Sequence, residues 1–291
     1  MRLVEDFKDY ELIDAAGGQK LERWGNIVLI RPDPQAVWTD RTNNPLWNNA
    51  DAVYHRSEKG GGYWEILKKV PDVWNISYNG LTFRLKPMGF KHTGLFPEQA
   101  VNWKLVEEII TKANRPLKVL NLFAYTGGAT VACLKAGASV THVDASKGMV
   151  GWAKENAAAS GLSDKPVRWL VDDCLKFMAR EKRRGVKYDG IIMDPPSYGR
   201  GPNGEMWKLE TGINELLLAA SDILSDDAEF FVLNTYTAGF SPTILTYLVK
   251  EKVAKKNKEN TFSDEIGLKM TARDFILPCG NTTIWTKEKI K

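Results

Sequence analysis

The stretch Met193-Asp194-Pro195-Pro196-Ser197-Tyr198-Gly199 follows the apolar run Gly190-Ile191-Ile192. Each proline lacks an N–H and restrains the residue before it, so an apolar strand has to stop near Met193. A carboxylate, Asp194, then stands at the strand end, followed by a rigid turn and an aromatic ring, Tyr198. Two other apolar runs end in acids, Val143-Asp144-Ala145-Ser146 and Val171-Asp172-Asp173-Cys174. A fourth run leads into Phe123-Ala124-Tyr125-Thr126-Gly127-Gly128, where two glycines let the backbone come close to a ligand. The helix after them offers unpaired N–H groups. Acids at three successive strand ends each need solvent or a partner, and one shared ligand supplies it.

The chemistry that suits these acids is nucleotide binding. A carboxylate at the end of the second strand, Asp144, matches two ribose hydroxyls, in NAD and S-adenosylmethionine alike. An acid after the third strand accepts from an adenine amino group, a role that suits Asp173, while Asp172 faces solvent or caps the next helix. The Gly-Gly turn lacks the GxGxxG spacing of a dinucleotide site.

These residues need a scaffold that sets strand ends side by side. From about residue 97, helices and strands alternate: helix 97–114, strand 117–123, helix 126–136, strand 139–143, helix 147–160, strand 167–171, helix 175–184, strand 190–193, helix 212–224, strand 229–233, helix 242–256. Two late β-prone runs, near 267–270 and 282–286, fit an antiparallel hairpin at the sheet edge. The expectation is an α/β fold with a doubly wound, mostly parallel, seven-stranded Rossmann-like sheet, its ligands beyond the carboxyl ends of the strands. Residues 1–88 differ. They hold Trp24, Trp38, Trp47, Trp64 and Trp74, β-prone runs at 26–30, 63–67, 73–78 and 81–85, and an Asn79-Gly80 hairpin signal. They read as a small β-rich module with the tryptophans in its core, which divides the chain into domains 1–88 and 89–291.

Composition bounds the rest. With 43% hydrophobic and 26% charged residues the 291-residue chain has ample core material. Cys133, Cys174 and Cys279 form no CxxC, and no two of the three histidines sit at ligand spacing, which implies reduced thiols and no metal site. No signal peptide and no run approaching about 18 uncharged apolar residues is present, so the reading is a cytoplasmic protein away from membranes. A net charge of +4 permits a polyanionic partner without demanding one. The basic clusters Lys182-Arg183-Arg184 and 250–258 read as solvated helix faces.

Taken together, the Asn121–Gly128 turn, Val143-Asp144-Ala145-Ser146, Asp172-Asp173 and Asp194-Pro195-Pro196 resemble the class I S-adenosylmethionine-dependent methyltransferases. Within them they resemble the branch of the large-subunit ribosomal RNA methyltransferases I and K. Lys91-His92-Thr93-Gly94-Leu95-Phe96-Pro97-Glu98-Gln99 is similar to a segment that precedes the domain in that branch, and the resemblance covers residues 89–286. It implies S-adenosylmethionine as cofactor. Phe123, Ala124, Tyr125 and Gly127 would line its amino-acid part, Asp144 with Ala145 its ribose, and Asp173 with the Cys174 backbone its adenine. Asp194 would lie near the sulfonium methyl, and Phe96 and Gln99 would close over the cofactor. In amino-methylating relatives an Asp or Asn and the next proline carbonyl hold the target N–H, which assigns catalysis to Asp194 and Pro195, with Tyr198 stacking on a flat acceptor.

Two departures sharpen the expectation. Ser197 separates the prolines from the ring. Relatives that methylate carbon 5 of cytosine carry a cysteine after the fifth strand, where this chain reads Leu233-Asn234-Thr235-Tyr236-Thr237. Methylation of a nitrogen or oxygen follows, with the Asn234 group lining the substrate pocket. The expected partner is RNA, as ribosomal RNA or the ribosomal particle; homo-oligomerisation stays open. The alternatives are a protein or small-molecule acceptor, an NAD-dependent oxidoreductase, and an inactive cofactor-binding adaptor.

Overall fold

The computed structural model describes residues 1–57, 61–200, 206–237 and 239–289. They form two compact units, Arg2–Val101 with Gly267–Cys279, and Met1 with Asn102–Ile266 and Gly280–Lys291.

The N-terminal unit contains β1 (Arg2–Leu3), β2 (Tyr10–Ala16), β3 (Gln19–Trp24), β4 (Ile27–Pro32), β5 (Ala52–Arg56), β6 (Gly62–Ile66), β7 (Trp74–Tyr78) and β8 (Leu81–Leu85). Strands β2 to β6 make one sheet in chain order, antiparallel except for the β4–β5 pair. Strands β7 and β8 form the hairpin signalled by Asn79-Gly80, both turn residues having positive φ (49° and 75°). Trp24 is fully buried and Trp47 nearly so. Trp38, Trp64 and Trp74 are half-buried, so the core reading holds for part of the set.

Strands β2 and β3 escape a pattern search because both carry buried acids. Asp14 accepts from the Thr42 and Trp47 side chains and pairs with Arg273. Glu22, with no exposed surface, holds Arg31 through two contacts of 2.6 and 2.8 Å and accepts from the Tyr10 hydroxyl. Burial alone would raise the Glu22 pKa; the Arg31 and Lys20 charges overcome it and bring it down to about 2.

The larger unit is built from α1 (Ala100–Lys112), β9 (Lys118–Leu122), α2 (Gly128–Lys135), β10 (Ser139–Asp144), α3 (Lys147–Ala159), β11 (Val167–Val171), α4 (Cys174–Arg183), β12 (Gly190–Met193), β13 (Tyr198–Arg200), β14 (Met206–Lys208), α5 (Leu209–Ile223), β15 (Phe230–Thr235), α6 (Pro242–Lys252), β16 (Thr261–Lys269) and β17 (Ile276–Thr286). The sheet has eight strands, one more than expected, in the order β1-β16-β17-β15-β12-β9-β10-β11; the additional one is the two-residue β1, too short to leave a pattern in the sequence. All pairs from β15 to β11 are parallel, and β17 runs antiparallel to β15, as the late β-prone runs suggest. The order reverses between β9 and β12, the switch point beyond whose carboxyl ends such sheets bind their ligands.

Alternation along β9 explains how helices cover both sheet faces. Leu120 and Leu122 join the core shared with α4, α5 and α6. Asn121 points the other way and donates to Thr130 of α2 at 2.9 Å. Every strand of this unit's parallel core is located by its apolar run. The short antiparallel β13–β14 pair, separated from the double proline by one residue, carries no such run and is found only in the structure. Lys182, Arg183 and Arg184 are exposed, with Lys182 paired to Asp222, as expected of a solvated face.

Removing one partner of the buried Glu22–Arg31 pair leaves an uncompensated charge. Glu22→Gln should destabilise the N-terminal unit by about 3–5 kcal/mol, read from denaturant unfolding followed by tryptophan fluorescence.

Candidate active site

Four chain segments meet at the carboxyl ends of β9, β10, β11 and β12. Main-chain bonds carry the ladder past the strands: Ala124 N–H to the Val143 carbonyl (3.1 Å), Asp172 N–H to the Asp144 carbonyl (3.0 Å), and Asp194 N–H to the Leu122 carbonyl (3.4 Å). Phe123, Tyr125, Asp144, Asp173, Cys174 and Asp194 are therefore brought to one edge of the sheet. Phe96 and Gln99 lie in the N-terminal unit, Phe96 preceding the turn Pro97–Gln99 and Gln99 ending it, with Gln99 buried.

The first turn is held in an unusual conformation. Phe123, Tyr125 and Gly127 all have left-handed φ values, 54°, 49° and 81°. For the two non-glycine residues this costs roughly 1–2 kcal/mol each, which the surroundings must offset. Tyr125 N–H donates to one oxygen of Asp144 and Ser146 N–H to the other, both at 2.8 Å. Phe123 N–H donates to the Cys174 sulfur at 3.4 Å. From below, the Asn156 amide donates to the Thr126 carbonyl at 2.8 Å.

Besides the ligand approach expected of them, the two glycines have protein neighbours that leave no room for a side chain. A Cβ on Gly127 would stand 2.9 Å from that of Ala153, and one on Gly128 would stand 2.6 Å from the Trp103 ring. Close approach to α3 and α1 therefore demands glycine at both positions. Gly127 also caps α2 without any side chain, so no side chain of the cap competes with a ligand for the first-turn N–H groups.

Asp144 is not the helix cap. Ser146 caps α3, accepting from Met149 N–H, which leaves Asp144 for the turn. Burial pushes the Asp144 carboxyl up, and the Ser146 and Tyr125 N–H groups pull part of that back. Such a carboxylate has lost water and keeps lone pairs for further donors, which fits a pair of ribose hydroxyls. The capping role considered for Asp172 falls on Asp173, which accepts from Lys176 N–H at 2.9 Å because it directly precedes the first residue of α4. Asp172 pairs with Arg180 instead. Ala145 is exposed, and Pro195 is buried beside the half-buried Asp194. Tyr198 is 72% exposed on β13.

Two features were not found from the sequence. One is a polar chain under the turn: Asn121, Thr130 and His142 are linked by contacts of 2.9 Å each. His142 has no exposed surface, and burial lowers its pKa to about 3. A histidine inside the apolar run 140–143 was the available signal. The other is Asn234, expected to line a substrate pocket. It is buried, and its oxygen accepts from Asn102 (3.0 Å) and Thr282 (2.8 Å), pinning β15 to α1 and β17. Among the described residues no group of acids, histidines and cysteines could hold a metal ion, and no helix is long and apolar enough to cross a membrane.

The switch point, a carboxylate closing the second strand and a left-handed turn over a helix N-terminus together suit a nucleotide cofactor. The chain belongs to the S-adenosylmethionine-dependent methyltransferase family, whose profile matches residues 42–225. It is similar over its whole length to the S-adenosylmethionine-dependent methyltransferase from Agrobacterium tumefaciens, at 36% identity and a TM-score of 0.91, covering 98% of this chain and 93% of that one. The SMU.776 structure, complexed with SAH, has the same fold (20% identity, TM-score 0.75, 96% of this chain and 76% of that one). The ribosomal RNA large subunit methyltransferase K/L of Shewanella frigidimarina is 34% identical over 214 residues, which cover 73% of this chain and 28% of that protein. The chain spans about a quarter of the length of the curated relatives it matches.

Two outcomes follow. Asp144→Ala should weaken binding of S-adenosylhomocysteine by about ten-fold or more in calorimetry, since charge-assisted hydrogen bonds are worth roughly 1.5–3 kcal/mol. The His142 pKa is lower folded than unfolded, so its contribution to stability is complete above about pH 6.5 and is lost as pH falls toward 3. His142→Gln should flatten the loss of thermal stability between roughly pH 6 and 4.

Proposed function

We propose that the chain methylates RNA, with ribosomal RNA as the acceptor, at a nitrogen or oxygen atom. The observation that carries the position of the chemistry is the Asp194-Pro195-Pro196 turn at the β12 end of the switch point. The acceptor class is supported by the relatives named ribosomal RNA large subunit methyltransferase K/L and by an exposed aromatic ring, Tyr198, close in sequence to the turn. The working partner is then RNA, free or in the ribosomal particle, in the cytoplasm.

In this reading Phe123, Ala124, Tyr125 and Gly127 bound the amino-acid part of the cofactor. Asp144, with Ala145, takes the ribose, and Asp173 offers its second oxygen to the adenine beside Cys174. The cofactor supplies an electrophilic methyl on a sulfonium that leaves as a neutral thioether. The chain's own work is alignment. Asp194 and the Pro195 carbonyl accept hydrogen bonds from the target group, aiming its lone pair at the methyl carbon, and the proton released on transfer passes to solvent.

Chemistry at carbon 5 of a pyrimidine needs a thiolate nucleophile. Cys174 is buried, its sulfur occupied by Phe123 N–H, and burial drives its pKa far up; Cys133 is likewise buried and raised, and Cys279 lies in the N-terminal unit. None directly follows β15 in the chain, where the sequence reads Tyr236-Thr237.

Tritiated S-adenosylmethionine should label total RNA, and not total protein, from cells in which the gene has been deleted. The label should map to a nitrogen or oxygen. Label in protein alone would overturn the RNA acceptor, and label at cytosine carbon 5 the atom assignment. Asp194→Ala should lower turnover by about a hundred-fold or more with cofactor affinity nearly unchanged, the signature of an interaction that matters in the transition state.

A further inference from the structure

The turn that holds Asp194 has a fastening problem. Pro195 and Pro196 have no N–H, so neither can donate a bond that would tie the segment to β15, its neighbour in the sheet. The backbone ladder between the two strands ends at Met193 and Leu233. Beyond it, Asp194-Pro195-Pro196-Ser197 and Asn234-Thr235-Tyr236-Thr237 leave adjacent parallel strands. Ser197 and Thr237 each stand four residues past the last laddered residue of their own strand. At that level the Thr237 hydroxyl donates to the Ser197 hydroxyl oxygen at 2.8 Å. Thr237 is buried, and Ser197 is half-buried.

Ser197 is fastened a second time. Its carbonyl accepts from Leu209 N–H, the first residue of α5, at 3.0 Å. That helix is itself set close to the β14 strand: a Cβ on Gly212 would stand 2.4 Å from the Trp207 indole nitrogen. At the other end of the turn, Asp194 N–H donates to Leu122. Only two prolines lie between these anchors. The β15 side is equally constrained. Asn234 is pinned by Asn102 and Thr282, and a Cβ on Gly280 would stand 2.8 Å from the Thr235 carbonyl and 3.0 Å from the Tyr236 ring.

We infer that Ser197 and Thr237 are positioning residues for methyl transfer. Their hydroxyl bond does across β12 and β15 what the two prolines prevent the backbone from doing, and it fixes the direction of the Asp194 carboxylate and the Pro195 carbonyl. The inserted serine, which departs from the family's proline-to-aromatic spacing, and the Thr237 that ends the segment lacking a cysteine are two halves of one device. This inference rests on the placement of the acceptor at Asp194.

The test uses the full chain, tritiated S-adenosylmethionine, and whichever pool, RNA or protein, takes label. Thr237→Val keeps the shape and removes the donor. It should lower kcat on the order of ten- to a hundred-fold, the scale of a small misplacement of reacting groups, with binding of S-adenosylhomocysteine within two-fold of the parent. Ser197→Ala should do the same, and the double variant should be no slower than either single one. Thr237→Ser should restore most of the rate. Wild-type kcat in Thr237→Val, with Asp194→Ala inactive, would overturn the positioning role alone. So would additive losses in the double variant, or a parallel loss of cofactor affinity. Undiminished turnover in Asp194→Ala would instead overturn the placement of the acceptor.

Discussion

The carboxylate of Asp144 joins the ends of β9 and β10 through two backbone donors, Tyr125 N–H and Ser146 N–H. A parallel sheet ends in a row of main-chain groups with no partner in the next strand, and here one side chain gathers two of them. The left-handed turn at Phe123 and Tyr125 depends on that gathering, because neither residue adopts such a φ at no cost. The same group is the ribose acceptor proposed for the cofactor. Structure and binding thus draw on one carboxylate, which burial has already stripped of part of its water.

Around this joint the supports are polar and buried on one sheet face, apolar on the other. Asn121, Thr130, His142 and Asn156 hold the turn and the start of α2 from the face covered by α2 and α3. Leu120, Leu122, Ile191, Met193, Phe231 and Leu233 pack against α4, α5 and α6. The apolar side supplies most of the stabilisation through burial. The polar side supplies direction, since each hydrogen bond admits one geometry and costs free energy when unmade.

The acceptor side is governed by a different constraint. At the end of β12 two prolines give a stiff turn but deprive it of donors, so fastening passes to side chains and to acceptors on Ser197. The absence of a thiol at the end of β15 and the presence of hydroxyl and amide groups there are parts of one arrangement. Asn234 and Thr237 are committed to holding the loops, and methyl transfer by direct displacement asks for alignment and no covalent attachment to the acceptor.

The order of helices and strands in the larger unit, its parallel sheet and the acids at its strand ends are legible in the sequence. Periodicity and proline placement are local signals, and the ends of buried strands follow from them. The nucleotide reading of Asp144 rests on that local pattern, and the methyl-transfer reading of Asp194 on the family resemblance. What the sequence could not decide are contacts between residues far apart in the chain. It did not show that Gly127 and Gly128 yield to Ala153 and Trp103, that Asp173 and not Asp172 caps α4, that Asn234 is sequestered by Asn102 and Thr282, or that Ser197 meets Thr237. Strands β2 and β3 escaped for a related reason. Their acids break the apolar alternation, and only the partners Arg31, Trp47 and Arg273 make burial of those charges tolerable. Local pattern reports how often a residue turns toward the core. Which partner satisfies a polar group once it is there is set by the packing of the whole unit.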